Sequence, residues 1–366
     1  MSKAERISTL QAILLIVSCR LTTGYIYLPL PTPPANQDIW MVQILSVAYM
    51  FIMCAPLLFL SNRFPDLTLI QYSERIMGKF AGKLAGILYV AFLSYINLLV
   101  LTDATVFLSS AIMPETPAYV IILFALATCI YTAYKGVEVI GRTVEVFLPF
   151  VFITVILFFI LGLKDMNFKV FLPVFMDSGL QKINYGALNF SARFYEIIVL
   201  CMLVPNLKKK SELNRIFSFS VLIFIFFLTI ITVSTLTVLG IEQAKNSNYP
   251  YFSFARLINV FNFIQNIEFL NVIGWFIVEF IKLSAYLYFI SLGMKQVFNV
   301  KTNKAFIIPM AVLMFILAIA TKLKKSVVVY EAVSYKVLPY ISFVFIFIIP
   351  LILLIVYFFR RKSLTG

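Results

Sequence analysis

Seven ionisable side chains interrupt the apolar runs of this chain, and their charges nearly balance. The three basic and four acidic residues are Arg20, Asp103, Glu145, Arg193, Glu196, Glu279 and Lys282. An ionisable group inside a bilayer is costly unless it is paired or hydrated, so such groups mark ligand sites, ion pathways or proton relays. Because the 366 residues contain no histidine, proton transfer would fall to Glu196 and Glu279. We assign Arg20, Asp103, Arg193, Glu279 and Lys282 to a predicted charge network.

Two of the charged pairs have helical spacing. Arg193 and Glu196 lie three residues apart, as do Glu279 and Lys282, so each pair would share one helix face. Each pair is predicted to form an intrahelical ion pair facing a polar interior, or else only to hold neighbouring helices together. The two remaining acids lie nearer the ends of their apolar runs, where contact with headgroups or water is the simpler interpretation.

Polar and flexible residues interrupt two of the apolar runs. In "LLIVSCRLTTGYIYLPLP", residues 14–31, Gly24 favours a break in the helix, and Thr22 and Thr23 offer hydroxyl groups beside it. The run "YGALNFSARFYEIIVLCMLVP", residues 185–205, is interrupted in the same way. Irregular backbone inside a bilayer is tolerated only where it is buried in protein or lines a watery cavity. Both stretches are therefore predicted to line a small-molecule site, although a kinked helix with a snorkelling arginine also fits the first.

The elements that carry these residues are apolar segments long enough to cross a bilayer. The chain is 62% hydrophobic and 13% charged, whereas a soluble domain is about half apolar and about a quarter charged. A run of about 20 apolar residues crosses a hydrocarbon core of about 30 Å. We predict an all-α integral membrane protein in which residues 1–366 form a single transmembrane domain. Ten transmembrane helices are predicted at residues 8–30, 39–60, 84–110, 117–134, 143–163, 186–205, 215–240, 267–294, 304–321 and 338–359.

Basic residues in the connections set the predicted orientation. With the N-terminus inside, the cytoplasmic segments hold 18 Lys and Arg residues and the outer segments hold nine. Cytoplasmic loops carry such an excess, so both termini are predicted to be cytoplasmic. The net charge of +14 is thereby assigned to loops, and no nucleic-acid partner is expected. Residues 66–80 are too polar to span and are predicted to form a short helix at the cytoplasmic surface.

The two interrupted spans occupy equivalent places in two halves of the chain. Ten spans divide into a first five-helix repeat at residues 8–163 and a second at residues 186–359, and an odd number of spans inverts the second repeat. Interruptions at equivalent positions of inverted halves indicate a binding site near the bilayer midplane. Helices 1 and 6 are therefore predicted to be the broken helices, with half-helix N-termini suited to a carboxylate and unwound carbonyls suited to an ammonium group.

The sequence contains little that would support catalysis. It has no GxxxxGK[ST] loop and no HExxH motif, and the missing histidine removes the common general base. The four cysteines are widely spaced within apolar runs, which indicates neither a disulfide framework nor a zinc site. We therefore expect no enzyme activity, no metal and no cofactor.

Three blocks of sequence carry a family resemblance. They are "ISTLQAILLIVSCRLTTGYIYLP" from residue 7, "FYEIIVLCMLVPNLKKK" from residue 194 and "YPYFSFARLINVFNFIQNIEFLNVIGWFIVEFIKLSAYLYF" from residue 249. With its length and span count, the chain resembles the spore germination permease family, the GerAB-like B subunits of spore germinant receptors. That family belongs to the amino acid–polyamine–cation superfamily. The resemblance therefore implies a five-plus-five inverted-repeat fold of the LeuT type.

The resemblance also implies a setting for the protein. It implies residence in the inner membrane of a bacterial spore and assembly with a larger A subunit and a lipoprotein C subunit. The germinant would be an amino acid or a similar nutrient. Usual members have a more glycine-rich break in the first span, whereas this chain has one glycine there and adds Arg20, which could favour an anionic group.

Carried onto this chain, the resemblance implies a ligand site between spans 1, 3, 6 and 8. Its residues would be Thr22, Thr23, Gly24, Tyr25, Tyr95, Leu99, Asn189, Phe190, Ser191, Glu196, Ser284 and Tyr288. Ser284 and Tyr288 share a helix face that differs from the face of Glu279 and Lys282, so we expect only one of these pairs to touch a ligand. Tyr95 is also explained by ordinary packing, because the chain has 19 tyrosines.

Three functions remain open at this point. The first is a ligand-sensing receptor subunit whose ligand selects one conformation of the bundle. The second is an amino-acid permease coupled to protons or sodium, with Glu196 and Glu279 as proton carriers. The third is a scaffold without a ligand. The basic loop at residues 206–210 is predicted to set topology, or to contact a partner domain or anionic membrane lipid.

Overall fold

In the computed structural model the protein is almost entirely helical. The structure describes residues 5–26, 36–175, 178–258, 267–320 and 336–364. Within these ranges, strand-like pairing is confined to one isolated parallel bridge between Ile7 and Leu207. Helices suit a bilayer because each span satisfies its own backbone hydrogen bonds.

The α-helices are numbered α1 to α15 in chain order. They are α1 (Thr9–Ile26), α2 (Ile39–Arg63), α3 (Leu69–Met77), α4 (Lys79–Phe107), α5 (Ala118–Lys135), α6 (Val137–Gly162), α7 (Gly179–Ser191), α8 (Glu196–Leu203), α9 (Leu213–Leu239), α10 (Ile241–Asn246), α11 (Pro250–Leu257), α12 (Glu268–Phe298), α13 (Lys304–Ala320), α14 (Leu338–Phe343) and α15 (Ile349–Leu364). Two π-helical stretches extend α4 at Leu108–Ile112 and join α14 to α15 at Val344–Ile348. Short 3₁₀ turns occupy Leu163–Asp165, Phe168–Phe171, Val204–Asn206 and Lys210–Glu212.

The helices follow the predicted spans closely. Of the helices within the described ranges, eight are long and apolar enough to cross a membrane by length and composition, and Thr9–Thr22 and Lys304–Ala320 are shorter apolar helices. Each of the ten predicted spans overlaps one of these segments. The prediction of an all-α membrane protein is confirmed. The division into two repeats, at residues 8–163 and 186–359, stays a prediction.

The sixth span is broken where the sequence predicted it, and the first is not. Helix α7 ends at Ser191 and α8 begins at Glu196, with non-helical backbone between them. Helix α1, in contrast, runs without interruption through residues 22–24 to Ile26. A single glycine inside a helix costs only about 1 kcal/mol, and Thr22 keeps its hydroxyl within the helix by donating to the Cys19 carbonyl at 3.0 Å. The end of the predicted span, at residue 30, and the prolines from Pro29 to Pro34 lie in residues 27–35, outside the described residues.

The predicted surface helix is α3, which packs tightly against the start of α4. Thr68 and Gln71 form a reciprocal capping box at its N-terminus, which satisfies backbone donors that the first turn leaves unpaired. Gly82 of α4 lies directly against the backbone of Glu74, where any side chain would clash. Gly86, one turn further along, faces Ile70 in the same way. Gly82 and Gly86 thus let the short helix α3 lie close to the transmembrane helix α4.

The segments predicted to be cytoplasmic gather at one end of the bundle, which we call the basic end. Hydrogen bonds and an ion pair join them: Glu5 to Val137, Ile7 to Asn206, Asp66 to Lys210, Thr68 to Gln296 and Ile76 to Arg360. The loops predicted to be outside meet at the opposite end, where Asn167 donates to Thr237 and Gln37 donates to Pro173. The alternation of the loops is therefore as predicted, and the cytoplasmic location of the basic end stays a prediction.

The broken sixth span and α12 form the centre of the molecule. In the most apolar 18-residue windows, 94% of the residues are buried in the stretch Gly179–Asn206, against 28% in Leu338–Arg361. Large apolar side chains such as Phe124, Ile153 and Phe226 point outward from peripheral helices and are exposed. An apolar surface of this kind suits a lipid environment, whereas polar side chains are concentrated inside. The centre of the bundle therefore holds the buried polar side chains of a candidate site.

Candidate functional site

Side chains from three helices meet in a buried cluster at the centre of the bundle. The Lys282 ammonium group on α12 donates to Glu196 Oε1 of α8 at 3.1 Å and to Thr22 Oγ1 of α1 at 3.2 Å. The side chains of Lys282 and Glu196 are both 0% exposed. Burial of two charges is tolerable here because each is paired and hydrogen-bonded. We call Arg20, Thr22, Glu196 and Lys282 the central charge cluster.

Arg20 of α1 is the second cation of the cluster, and aromatic rings hold it. Its Nε atom lies 4.0 Å from Glu196 Oε2. Its guanidinium carbon lies 4.9 Å from the ring centre of Phe224 on α9 and 5.2 Å from that of Phe190 on α7. Such cation–π contacts partly replace hydration of a buried cation. Arg20 therefore does not snorkel to the membrane surface but belongs to the interior.

The break in the sixth span explains how Glu196 reaches this place. The helix stops at Ser191 and restarts at Glu196, so the carboxylate occupies the first turn of α8. The N-terminus of a helix favours negative charge, because its backbone N–H groups lack partners within the helix. The ammonium group of Lys282, which binds this carboxylate, also lies 5.1 Å from the ring centre of Tyr195, a residue of the break itself.

The central charge cluster has unused binding capacity. Within the described part of the chain, Glu196 Oε2 and Arg20 Nε are buried without a hydrogen-bond partner. The four side chains carry two positive charges and one negative charge, because Glu279, three residues before Lys282 on α12, forms no ion pair with it among the described residues. A buried excess charge is unfavourable unless a counter-charge enters. The arrangement can therefore accept the carboxylate of a small molecule near Arg20 and Lys282, with a donor group of the same molecule directed at Glu196.

The two predicted intrahelical ion pairs do not form as expected. Glu196 pairs with Lys282 and Arg20, which lie on other helices. Arg193 and Glu196 are three residues apart in sequence, but the backbone between them is not helical, so they do not share a helix face. Lys282 instead donates to one acceptor on the broken span, Glu196, and to a second acceptor on α1, Thr22. The correct pairing required knowledge of how α8 and α12 face each other.

The residues predicted from the first span separate into different environments. Thr22 belongs to the central charge cluster, whereas Gly24 faces Leu228 of α9, whose Cδ1 atom lies 2.6 Å from the position that a β-carbon would take. The hydroxyl group of Tyr25 lies 3.2 Å from Thr154 Oγ1 on α6, away from the cluster. The side chain of Thr23 lies outside the described part of the structure.

The residues predicted from the sixth span lie at or near the cluster. Phe190 stacks under Arg20 and also lies 5.5 Å from the guanidinium carbon of Arg193. Asn189 is buried, and Asn189 Oδ1 has no hydrogen-bond partner among the described residues. Ser191 instead donates to the Leu188 carbonyl at 2.9 Å, which helps to end α7. Phe190 and Glu196 both lie next to Arg20, and their role in ligand binding stays a prediction.

The residues predicted from the third and eighth spans are less concentrated. Tyr95 and Leu99 of α4 are partly buried against the core. Ser284 is buried on α12 and neighbours Cys129 of α5. Tyr288 lies at the basic end, where its hydroxyl donates to Glu5 Oε2 at 3.4 Å. The structure therefore places Tyr288 at the basic end of the bundle, away from the central charge cluster.

The three acids outside the cluster also differ from one another. Glu145 accepts a hydrogen bond from Gln11 Nε2 at 2.6 Å and so links α6 to α1, rather than depending on water or headgroups. Asp103 and Glu279 are both buried, on α4 and α12. Glu279 Oε1 has no hydrogen-bond partner among the described residues. Within those residues, no group of three or more His, Cys, Asp or Glu side chains is placed to hold a metal ion.

A family model for spore germination proteins matches residues 6–327 of this chain. The chain belongs to this spore germination protein family. Among its relatives, spore germination protein KB of Bacillus subtilis (strain 168) is 25% identical over 370 residues, covering 99% of this chain and 97% of the relative. Spore germination protein XB of Bacillus anthracis is 24% identical over 345 residues, covering 94% of this chain and 95% of the relative.

Solved transporter structures show which fold this spore germination protein has. MhsT in complex with L-phenylalanine has a TM-score of 0.66 at 14% identity, over 98% of this chain and 99% of that one. A Na⁺-coupled sialic acid symporter has a TM-score of 0.64 at 14% identity, over 91% of this chain and 80% of that one. These similarities confirm the predicted LeuT-like fold, and at this identity they establish the fold alone.

Sequence reasoning missed Glu5 and Phe224, whose side chains both make contacts between helices or segments. The Glu5 carboxylate accepts from the Val137 backbone N–H at 2.7 Å at the start of α6, beside Gly136, whose positive φ of 91° and contact with Glu5 leave no room for a side chain. Phe224 forms part of the aromatic support of Arg20. Nothing in the sequence distinguished Phe224 from the other 37 phenylalanines, because its role depends on which face of α9 meets α1.

Proposed function

We propose that this protein is the membrane-embedded subunit of a nutrient germinant receptor, which binds an amino acid or a similar small molecule and thereby triggers spore germination. The ligand would bind near the bilayer midplane between the first, third, sixth and eighth spans. Membership of the spore germination protein family supports the biological role. The LeuT-like fold supports the place of the site, because transporters of this architecture bind substrate at their broken helices. The proposal assigns the protein no catalytic activity.

The observation that carries the proposal is the excess positive charge of the central charge cluster. Arg20 and Lys282 are buried with one carboxylate between them, and each contacts Glu196 from a different helix. The carboxylate of an amino acid would balance this charge, while its ammonium group would compete with Lys282 for Glu196. Such a ligand exchanges contacts that hold α1, α8 and α12 together. The ligand would therefore bind more tightly to a conformation in which these helices are rearranged. Its binding would shift the protein towards that conformation.

The partners and location form a further part of the proposal. We place the protein in the spore inner membrane with both termini in the cytoplasm, assembled with germinant receptor A and C subunits. The twofold excess of basic residues in the segments that gather at one end supports the orientation. Lys208 and Lys209 are exposed at that end and offer cationic contacts to a partner domain or to anionic lipid, whereas Lys210 is half-buried and paired with Asp66.

A proton- or sodium-coupled amino-acid permease is the second candidate function. The structural neighbours include a Na⁺-coupled symporter, and the fold supports alternating access. Glu196 and Glu279 are buried acids on the two central elements, so they could carry protons in a chain without histidine. A receptor and a permease would share the same site, and they differ in whether the ligand crosses the membrane.

The test is a comparison of binding and uptake in proteoliposomes. The full chain is reconstituted alone and together with its A and C subunits, and a labelled panel of L-amino acids is screened for both readouts. We expect saturable binding without accumulation, at least tenfold weaker in Glu196→Gln and unchanged in Glu242→Gln, whose side chain is 84% exposed. Concentrative uptake driven by a proton or sodium gradient would establish the permease instead. If no preparation binds any member of the panel, the amino-acid ligand is wrong.

A further inference from the structure

A cavity separate from the central charge cluster opens on the side of the bundle between α4, α5 and α12. Its volume is about 540 Å³, within the range of pockets that hold small organic ligands. Leu101, Leu108, Cys129 and Leu283 form part of its buried floor. Leu108 begins the π-helical stretch after α4, a type of irregularity that is frequent at functional sites.

The rim of this cavity faces the membrane. Phe124 of α5 and Phe276 of α12 line it and are exposed, at 68% and 49%. Both lie within helices apolar enough to span the bilayer. A ligand would therefore reach the cavity from the hydrocarbon region rather than from a polar loop. Its body must be largely apolar, because most of the side chains that line the cavity are apolar and the polar ones are three threonines and Glu279.

One carboxyl group lies inside this apolar wall. Glu279 is the only charged side chain that lines the cavity in the described part of the chain, and it is 3% exposed. Its Oε1 atom is buried without a hydrogen-bond partner among the described residues. The charged groups that act on it are Asp103 of α4 and Lys282, one turn further along α12. Lys282 is already bound to Glu196 and Thr22, so it leaves the Glu279 oxygen unmatched.

We propose that this cavity is a binding site for a membrane-soluble primary amine with an apolar body. The ammonium group would donate to the unmatched carboxyl oxygen of Glu279, and the apolar body would fill the space between α4 and α5. A buried polar atom without a partner is unfavourable. A hydrogen bond from a ligand to this oxygen would therefore contribute more binding free energy than the same hydrogen bond in water. None of the residues of the central charge cluster lines the cavity, and the proposal does not depend on the germinant site.

The experiment measures binding of tritiated 4-phenylbutylamine to the full chain in lipid nanodiscs, with empty nanodiscs as background. Glu279→Gln replaces the carboxyl group by an amide of the same size, and its control is Glu268→Gln on the same helix, outside the cavity. Ala125→Trp fills the cavity from α5, and its control is Ala127→Trp, an exposed position on the same helix that does not line the cavity. Unlabelled 4-phenylbutanol is the competitor that matches the amine in shape.

The expected result is saturable binding that weakens at least tenfold in both Glu279→Gln and Ala125→Trp and stays unchanged in both controls. The alcohol should compete at least tenfold less well than the unlabelled amine. Binding that no variant changes would show that the amine binds elsewhere or only partitions into lipid, and would overturn the proposal. Loss in Ala125→Trp alone, with Glu279→Gln unaffected, would overturn the role of the carboxyl group.

Discussion

Glu196 and Glu279 are two buried acids in the same core, and their surroundings are opposite. Glu196 begins a helix, binds Lys282 at 3.1 Å and lies 4.0 Å from Arg20. Glu279 lies in mid-helix, beside an apolar cavity, with an oxygen that no described residue satisfies. Lys282 is three residues from Glu279 in sequence yet pairs with Glu196. The ammonium group binds where Thr22 provides a second acceptor.

The comparison separates two uses of a buried carboxyl group. A carboxylate enclosed by cations holds helices together, and its removal leaves those cations unbalanced. A carboxyl group with an unsatisfied oxygen contributes less to the fold, and we propose that a bound ligand satisfies it. Neutralising Glu196 and neutralising Glu279 should therefore have very different effects on stability, which the first and the last of the four predictions below test directly. The two predictions between them test the contacts that support the central charge cluster.

The largest expected effect is that of Glu196→Gln. It leaves Arg20 and Lys282 buried without their anion, so the free energy of unfolding should fall by about 3–5 kcal/mol. Thermal unfolding of the purified protein in detergent measures the loss. Adding Lys282→Met to the variant removes one unbalanced cation and should restore part of the stability. A loss as small as that of Glu242→Gln on the surface would show that the cluster does not hold the helices together.

The second effect concerns the contact of α1 with α9. Gly24→Leu should cost about 1–3 kcal/mol, because the new side chain would overlap Leu228, and it should also weaken amino-acid binding by displacing Thr22. The double variant with Leu228→Ala provides space and should recover most of both losses. Thermal unfolding and the binding assay together check this. Normal binding in the single variant would contradict the proposed dependence of the cluster on this contact.

A smaller effect is expected for the aromatic support of Arg20. Phe224→Leu keeps an apolar side chain of similar size but removes a ring 4.9 Å from the guanidinium carbon, which should cost about 1–2 kcal/mol. Phe226→Leu is the matched control, since that ring is on the same helix and is 59% exposed. Equal melting temperatures for the two variants would show that the buried ring stabilises the protein neither by packing nor through its contact with Arg20.

The smallest effect is that of Glu279→Gln on stability. The free energy of unfolding should change by less than about 1 kcal/mol, in either direction, because no partner loses its counter-charge. The measurement is the same thermal unfolding used for Glu196→Gln, so the two acids are compared directly. A loss of the size expected for Glu196→Gln would mean that Glu279 holds the fold, and the contrast between the two acids would disappear.

Much of the fold was predictable from the sequence because membrane spans are encoded locally. Each predicted span overlaps a helix, and the break around Arg193 lies where small and polar residues accumulate. The break predicted at residues 22–24 is absent, because one glycine and two threonines weaken a helix too little to interrupt it when neighbours pack against it. Local propensity decides such a position only when tertiary contacts do not oppose it.

The candidate site was predicted less completely. The charged residues were identified as functional candidates because charge inside an apolar run is conspicuous, and Thr22, Phe190 and Glu196 do lie together. The pairing was wrong, since helical spacing describes neighbours on one helix and the observed pairs join different helices. Tyr288 was assigned to the ligand site although it reaches Glu5 at the basic end, six residues along α12 from Lys282.

The sequence by itself determined that this chain spans a membrane, which residues cross it, how the loops alternate and which few charges lie inside. Composition and run length suffice for this, because the cost of placing polar groups in lipid acts on each segment separately. Only the tertiary structure decided that Lys282 pairs with Glu196, that Arg20 lies against two aromatic rings, and that Glu279 faces an apolar cavity. Those facts depend on how helices distant in sequence face one another, and packing sets this geometry only when all of them are assembled.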